Sequence, residues 1–144
     1  MNKEKEIDVL DELNKGACMG MDAIHFIIDK VEDEEFHKEL ERQYNGYKKI
    51  SESICELYPE YSRGEPHETN AMNKVMTWYG IEMRTLLDKS TSKIAELLLQ
   101  GTNMGIIEGR KLLNHKHTDK EVEKLASEYV KNQEEAVEQL KKFL

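Results

Sequence analysis

Apolar side chains recur at intervals of three and four residues along almost the whole chain, and this spacing constrains the fold most. The first such stripe is Ile7, Leu10, Asn14, Ala17, Met21, Ile24, Ile28 and Val31. Residues at this spacing lie on one face of an α-helix. The 144 residues include only 2 prolines and 8 glycines, so a turn-rich β-sandwich or barrel is excluded. The pattern predicts an all-α fold of long amphipathic helices.

The stripes divide the chain into five predicted helices. The first covers roughly residues 3–31, and Asp33 is placed to cap the second, which ends at Pro59. The third begins near Asn70 and breaks at residues 88–91, where Asp, Ser and Thr compete with helical hydrogen bonding. The fourth ends at residues 114–117. The fifth follows a capping box in which Thr118 and Glu121 bond each other's backbone N–H groups.

The two halves of the chain share one pattern at an offset of 85 residues. Residues 16–20 (GACMG) match residues 101–105 (GTNMG), and the apolar positions keep the same register through two helices. Short turns make each helix pair an antiparallel hairpin. The sequence therefore predicts a duplicated hairpin joined by a long connection that contains the third helix. Because glycine in a helix costs about 1 kcal/mol relative to alanine, we expect the first and fourth helices to cross at Gly20 and Gly105, so that Gly20→Leu destabilises the fold.

Several segments carry a resemblance to a known family. They are residues 13–16 (LNKG), the helix that contains Trp78, residues 94–101 (IAELLLQG) and residues 138–144 (EQLKKFL). Over nearly its whole length the chain resembles an uncharacterised bacterial family of ferritin-like domains of unknown function. The resemblance implies one domain over residues 1–144. Its fold would be a ferritin-like four-helix bundle of two helical hairpins with an extra helix in the long crossover.

The resemblance raises the question of a di-metal centre. Ferritin-like enzymes hold two metal ions with glutamates and Glu-x-x-His pairs from four helices. The positions expected to face the middle of the bundle here are Asn14, Ala17, Gln43, Tyr47, Leu99, Thr102, Asn132, Gln133 and Ala136. None is a carboxylate or a histidine, so we expect no di-metal centre and no cofactor, and we assign no catalytic residue. The amides could instead bond one another and fix the helix register.

Carboxylate–histidine pairs occur away from the middle of the bundle. Asp22 with His25, and Glu34 with His37, have the Glu-x-x-His type of spacing, but we interpret both pairs as solvated. His115 and His117, with Asp119, could bind Zn²⁺ or Ni²⁺ on a surface loop, although a tight structural site takes four ligands. The sequence leaves open whether any of these groups binds a surface metal.

Net charge and the absence of export signals limit the partners. The formal net charge of -8 disfavours nucleic acid and anionic membranes as partners. No apolar run approaches the ~20 residues of a membrane span, and the N-terminus lacks a signal-peptide core. Cys18 and Cys55 form no CxxC motif and are expected to be buried free thiols. These features predict a cytoplasmic protein.

Three functional hypotheses follow. We favour a non-enzymatic bundle that acts through self-association or protein binding, with a homo-oligomer formed by the crossover helix, where Met76 and Met83 would lie at the interface. The alternative is a metal-binding or redox ferritin-like protein with non-standard ligands. Those ligands would be Glu12, Asp22, Glu52 and Glu108, if the helix phases slip by one residue. A third hypothesis is a carrier of a small apolar ligand in the bundle core.

Overall fold

The computed structural model describes residues 3–62, 66, 78–82 and 86–144. Four long helices occur in this part of the chain: α1 (Glu4–Ile27), α2 (Glu34–Leu57), α3 (Thr91–His115) and α4 (Lys120–Lys141). Residues 78–82 are also helical, and the described residues contain no strand. The all-α prediction is therefore confirmed. Asn70, Met76 and Met83 lie outside the described residues.

Local sequence sets three helix ends where they were predicted. The Asp33 carboxylate accepts a hydrogen bond of 2.9 Å from the Phe36 N–H at the start of α2. The α-helix ends at Leu57, although Tyr58, the residue before Pro59, keeps helical dihedral angles and starts a short 3-10 turn. After the non-helical residues 86–90, the side chain of Ser90 accepts from the Lys93 N–H and caps α3. These signals lie within the capped turn itself, which is why sequence alone can reveal them.

The predicted capping box at the start of α4 is wrong. The helix begins at Lys120 with Asp119 as its N-cap residue, and no side chain caps it. The Asp119 carboxylate instead accepts a 3.0 Å hydrogen bond from the Tyr61 hydroxyl. The carboxylate next to Thr118 therefore joins the turn after α2 to the start of α4, and this long-range bond has no local sequence signal.

Helices α1 and α2 run antiparallel. The Ser51 hydroxyl donates to the Asn14 side-chain oxygen at 3.2 Å, and Gly20 faces the ring of Tyr47. Residue numbers thus fall along α2 as they rise along α1. Cys18 and Cys55 are both free thiols, as predicted, but Cys18 is only partly buried and Cys55 is exposed, so the predicted burial is wrong for Cys55.

Helices α3 and α4 form the second antiparallel pair. Gly109 faces Val130, while Arg110 Nη2 lies 2.7 Å from a carboxylate oxygen of Glu134. The ring of Phe36 on α2 stacks on that of Phe143, just beyond α4, with centroids 4.8 Å apart. All four helices contribute buried side chains to one hydrophobic core.

The predicted inward positions largely face this core. Buried among them are Ala17, Gln43, Tyr47, Thr102, Gln133 and Ala136, and partly buried are Asn14, Leu99 and Asn132. The buried face of α1 includes more residues than its apolar stripe. Asp11 and Lys15 are each only 5% exposed, although periodicity placed neither of them inside. A single stripe therefore underestimates how much of α1 is covered.

The helical glycines do not mark a crossing of α1 and α3, so that prediction is wrong. Gly20, Gly101, Gly105 and Gly109 each lack a side chain where a neighbouring residue fills the space. The groups that an added Cβ would meet are Tyr47 at Gly20, Tyr79 at Gly101, Gln133 and Tyr129 at Gly105, and Val130 and Tyr129 at Gly109. Most of these neighbours are tyrosine rings. The glycines therefore create space for rings that reach into the core.

Gly20→Ala is expected to destabilise the fold, because its methyl group overlaps the buried ring of Tyr47. We expect the free energy of unfolding to fall by about 1–3 kcal/mol. Gly46→Ala is the matched control, since its nearest contact is the Asn132 amide nitrogen at an ordinary 3.8 Å. That variant should gain up to about 1 kcal/mol from helix propensity. Urea unfolding measures both changes, and equal stabilisation of the two variants would contradict the ring contact.

Candidate functional site

A cluster of buried hydroxyl and amide groups lies at the middle of the four helices. We call it the tyrosine cluster, and its members are Tyr47, Tyr79, Thr102, Tyr129 and Gln133. Helix α2 supplies Tyr47, α3 supplies Thr102, and α4 supplies Tyr129 and Gln133, which share one helix face at i, i+4 spacing. Tyr79 comes from the helical residues 78–82 in the connection.

Hydrogen bonds tie the cluster together. The Tyr47 hydroxyl donates to the side-chain oxygen of Gln133 at 2.7 Å, and both residues are buried. The Thr102 hydroxyl donates to the Leu98 carbonyl at 2.7 Å, one turn earlier in α3. The Tyr79 hydroxyl donates to the same carbonyl at 3.4 Å. The cluster thus links α2 to α4 and fixes the connection on α3.

The three phenols of the cluster stay neutral at physiological pH. Burial raises the pKa of Tyr47 from its usual 10 to about 12. Burial also raises the pKa of Tyr79 and of Tyr129, and the nearby Tyr47 phenol adds to both shifts. A group that titrates so far above neutrality is a poor general base. The cluster can donate and accept hydrogen bonds, but it carries no charge.

The amides do not pair with one another in the way the sequence suggested. Gln133 bonds the phenol of Tyr47, and the Gln43 amide donates to Glu39 in its own helix at 2.6 Å. Glu39 also holds Arg42 through two hydrogen bonds of 2.8 Å. The interhelical register is therefore fixed by a phenol–amide bond rather than by an amide pair.

The residues at the middle of the helices do not fit a di-metal centre. Two divalent cations away from water need several carboxylates to balance their charge. The tyrosine cluster offers neutral phenol, hydroxyl and amide groups, and its rings occupy the space. Across the part of the chain that the structure describes, no three His, Cys, Asp or Glu side chains come together in a way that could hold a metal ion.

The carboxylate–histidine pairs near the first turn lie at the surface. Asp22 and His25 are both exposed on α1. His37 Nδ1 lies 3.1 Å from a carboxylate oxygen of Glu41, one turn further along α2, rather than beside Glu34. His25 and Glu41 line an open groove between α1 and α2. The structure thus turns His37 toward a carboxylate that the Glu-x-x-His spacing did not indicate.

The loop after α3 does not assemble the predicted surface site. His117 is exposed and the Asp119 carboxylate bonds Tyr61. His115 instead lines a groove of about 410 Å³ between α1 and α3, together with Glu12 and Glu108.

Two of the four alternative ligands share that groove. Glu12 and Glu108 are partly buried and lie near enough to Tyr129 to add to the upward shift of its pKa. Glu108 also lies 3.9 Å from the ammonium group of Lys111. Asp22 and Glu52 are exposed. The helix phases therefore place these carboxylates beside the tyrosine cluster or on the surface, and not in its centre.

Exposed apolar residues near the end of the connection form a feature that periodicity missed. Leu87 is 96% exposed and Ile81 is 56% exposed. Trp78 is partly buried and meets the ring of Tyr79 edge-on, with centroids 5.3 Å apart. An isolated leucine next to a predicted helix break carries no periodic signal, so the sequence could not indicate its exposure.

No family model, curated protein or solved structure matches this chain. None of the helices in the described ranges is both long enough and apolar enough to cross a membrane.

Tyr47→Phe is expected to lower the free energy of unfolding by about 1–3 kcal/mol, because it leaves the buried oxygen of Gln133 without its donor. Tyr61→Phe is the control, since that hydroxyl bonds the exposed Asp119. Its loss should cost no more than about 1 kcal/mol, because water can replace the bond. Denaturant unfolding measures the free energy of unfolding of both variants. Equal losses would show that the buried phenol–amide bond stabilises the fold no more than the exposed Tyr61–Asp119 bond does.

High pH should unfold the protein through the tyrosine cluster. The folded pKa of Tyr47 is about 12 and its usual value is 10, so its stabilising effect is complete below pH 10. That effect falls as the pH rises from about 10 toward 12. Phenolate absorbance and circular dichroism recorded together should show that buried phenols ionise only as helix is lost. Full ionisation near pH 10 with intact helices would contradict the burial of these phenols.

Proposed function

We propose that the protein is a ferritin-like four-helix bundle without a di-metal centre, which acts by association with itself or with another protein. Three features support the proposed class: the two antiparallel helix pairs, the helical segment in the connection between them, and the sequence segments that resemble the ferritin-like family. The proposed location is the cytoplasm. The tyrosine cluster takes the central place that metal ligands occupy in ferritin-like enzymes.

The observation that carries the proposal is the filled, neutral middle of the helices. The Tyr47–Gln133 hydrogen bond lies where a ferritin-like enzyme needs anionic ligands, so chemistry of that kind has no donor set there. Function then lies at the surface, where Leu87 and Ile81 expose apolar area. Large apolar side chains exposed in this way are candidates for an interaction site.

Purified protein should be at least dimeric and should not retain metal. Size-exclusion chromatography with light scattering measures the mass, and elemental analysis after chelator treatment measures metal per chain. Retention of roughly two iron or manganese ions per chain would contradict the proposal. A monomer that captures no partner would contradict association.

The metal-binding alternative makes a different prediction in the same assay. Of the four ligands that this alternative names, Glu12 and Glu108 share a groove with His115. If metal is retained, Glu12→Gln and Glu108→Gln should each remove it. Exposed Glu52→Gln is the matched control and should not change the metal content.

A further inference from the structure

Tyr79 reaches from the connection into a gap between α1 and α3. On the α3 side, its hydroxyl and ring lie where an added Cβ of Gly101 would stand. On the α1 side, Met19 is only 5% exposed, and the partly buried hydrophobic residues packed against it are Tyr79 and Met104. Tyr79 therefore covers both the backbone of Gly101 and the side chain of Met19.

The hydroxyl end of Tyr79 extends to the other members of the tyrosine cluster. It donates to the Leu98 carbonyl at 3.4 Å, and it also lies within hydrogen-bonding reach of the Thr102 side chain. The other four members of the cluster are buried, whereas Tyr79 as a whole residue is only partly buried. Tyr79 thus lies at the boundary between the buried cluster and the surface.

Two hydrogen bonds that organise the cluster do not use Tyr79. The Tyr47 hydroxyl donates to Gln133, and the Thr102 hydroxyl donates to the Leu98 carbonyl at 2.7 Å. The bond from Tyr79 shares that carbonyl at the longer distance of 3.4 Å. Hydrogen bonds of the usual strength are shorter than about 3.2 Å. Withdrawal of Tyr79 therefore leaves both of the shorter bonds in place.

The helical residues 78–82, which carry Tyr79, lie at the surface of the bundle. Each of them is exposed or only partly buried, and Ile81 is 56% exposed. An added Cβ at Gly80 would meet nothing within 4 Å, so open space lies beside the segment. Segments with few buried side chains open at a lower free-energy cost than the core of the same protein.

We propose that residues 78–82 form a detachable plug, in which Tyr79 closes the gap beside Gly101 and leaves it while the four helices stay folded. In the closed state, Tyr79 keeps water away from Met19 and from the Thr102 hydroxyl. In the open state, both groups become accessible to water and to small solutes. Opening takes place within one chain, so it does not depend on association with another copy or with a partner.

The first test uses Trp78, the sole tryptophan of the chain. Its ring meets the Tyr79 ring edge-on, so its fluorescence reports whether the plug is docked. In a urea series on the wild-type protein, Trp78 emission should change at a lower urea concentration than helical circular dichroism, because the plug opens before the helices unfold. Coincident transitions of the two signals would overturn the proposal.

The second test displaces the plug with Gly101→Ala, which places a methyl group where the Tyr79 phenol lies. Hydrogen peroxide serves as the probe, because it transfers one oxygen atom to an accessible methionine thioether and leaves water. The rate of Met19 oxidation, measured by mass spectrometry of peptides, should rise roughly 10-fold, since overpacking shifts an equilibrium by at least that factor. Helical circular dichroism should be retained, because alanine is favourable within α3.

Gly80→Ala is the matched control, because it makes the same change within the plug without meeting a neighbour. Its Met19 oxidation and its Trp78 emission should match the wild type. Tyr79→Ala removes the plug without any overlap, and it should expose Met19 as Gly101→Ala does while the helices stay folded. If Met19 stays protected in these two variants, or if the helices unfold in both, the plug is overturned.

Discussion

The hydrogen bond between Tyr47 and Gln133 is the interaction on which the arrangement of the core depends. A phenol in the middle of four helices needs an acceptor inside the protein, because water is excluded there. Gln133 provides the acceptor at 2.7 Å, and Gly20 provides the room for the ring. The acceptor Gln133 lies on α4, and the missing side chain is that of Gly20 on α1. Helices α1, α2 and α4 must therefore adopt one mutual register to satisfy both contacts of Tyr47.

A neutral core of this kind differs physically from a metal core. Buried carboxylates repel one another and need cations before the helices can close around them. Phenol, hydroxyl and amide groups form their hydrogen bonds without any ion, so the helices can pack as soon as the chain folds. Glu12 and Glu108 lie partly buried beside the tyrosine cluster rather than within it, and Glu108 is 3.9 Å from the ammonium group of Lys111.

The sequence predicted the features of this structure that depend on residues close together in the chain. Apolar periodicity identified the helices, the Asp33 cap, and most inward positions, including Gln133. The predictions failed where a contact with a residue distant in the sequence determines the local structure. Helical spacing tells which face of a helix is covered but not which residue covers it. The glycines Gly20 and Gly105 were therefore predicted to meet each other, whereas Gly20 meets Tyr47 and Gly105 meets Tyr129 and Gln133. The capping box predicted at Thr118 and Glu121 is likewise not formed; the N-cap residue is Asp119, whose carboxylate bonds the distant Tyr61.

The contact of Tyr79 with Gly101 has a consequence for how the sequence can drift. A single ring from the connection fills the space left by one glycine of α3. Enlarging Gly101 is harmful while Tyr79 is present, and shrinking Tyr79 leaves a void while Gly101 is present. Each substitution is harmful alone and tolerable when the other is present, so the two positions are epistatic. Divergent homologues of this chain should therefore change both positions together, and such paired changes would show that the contact between the connection and α3 is retained.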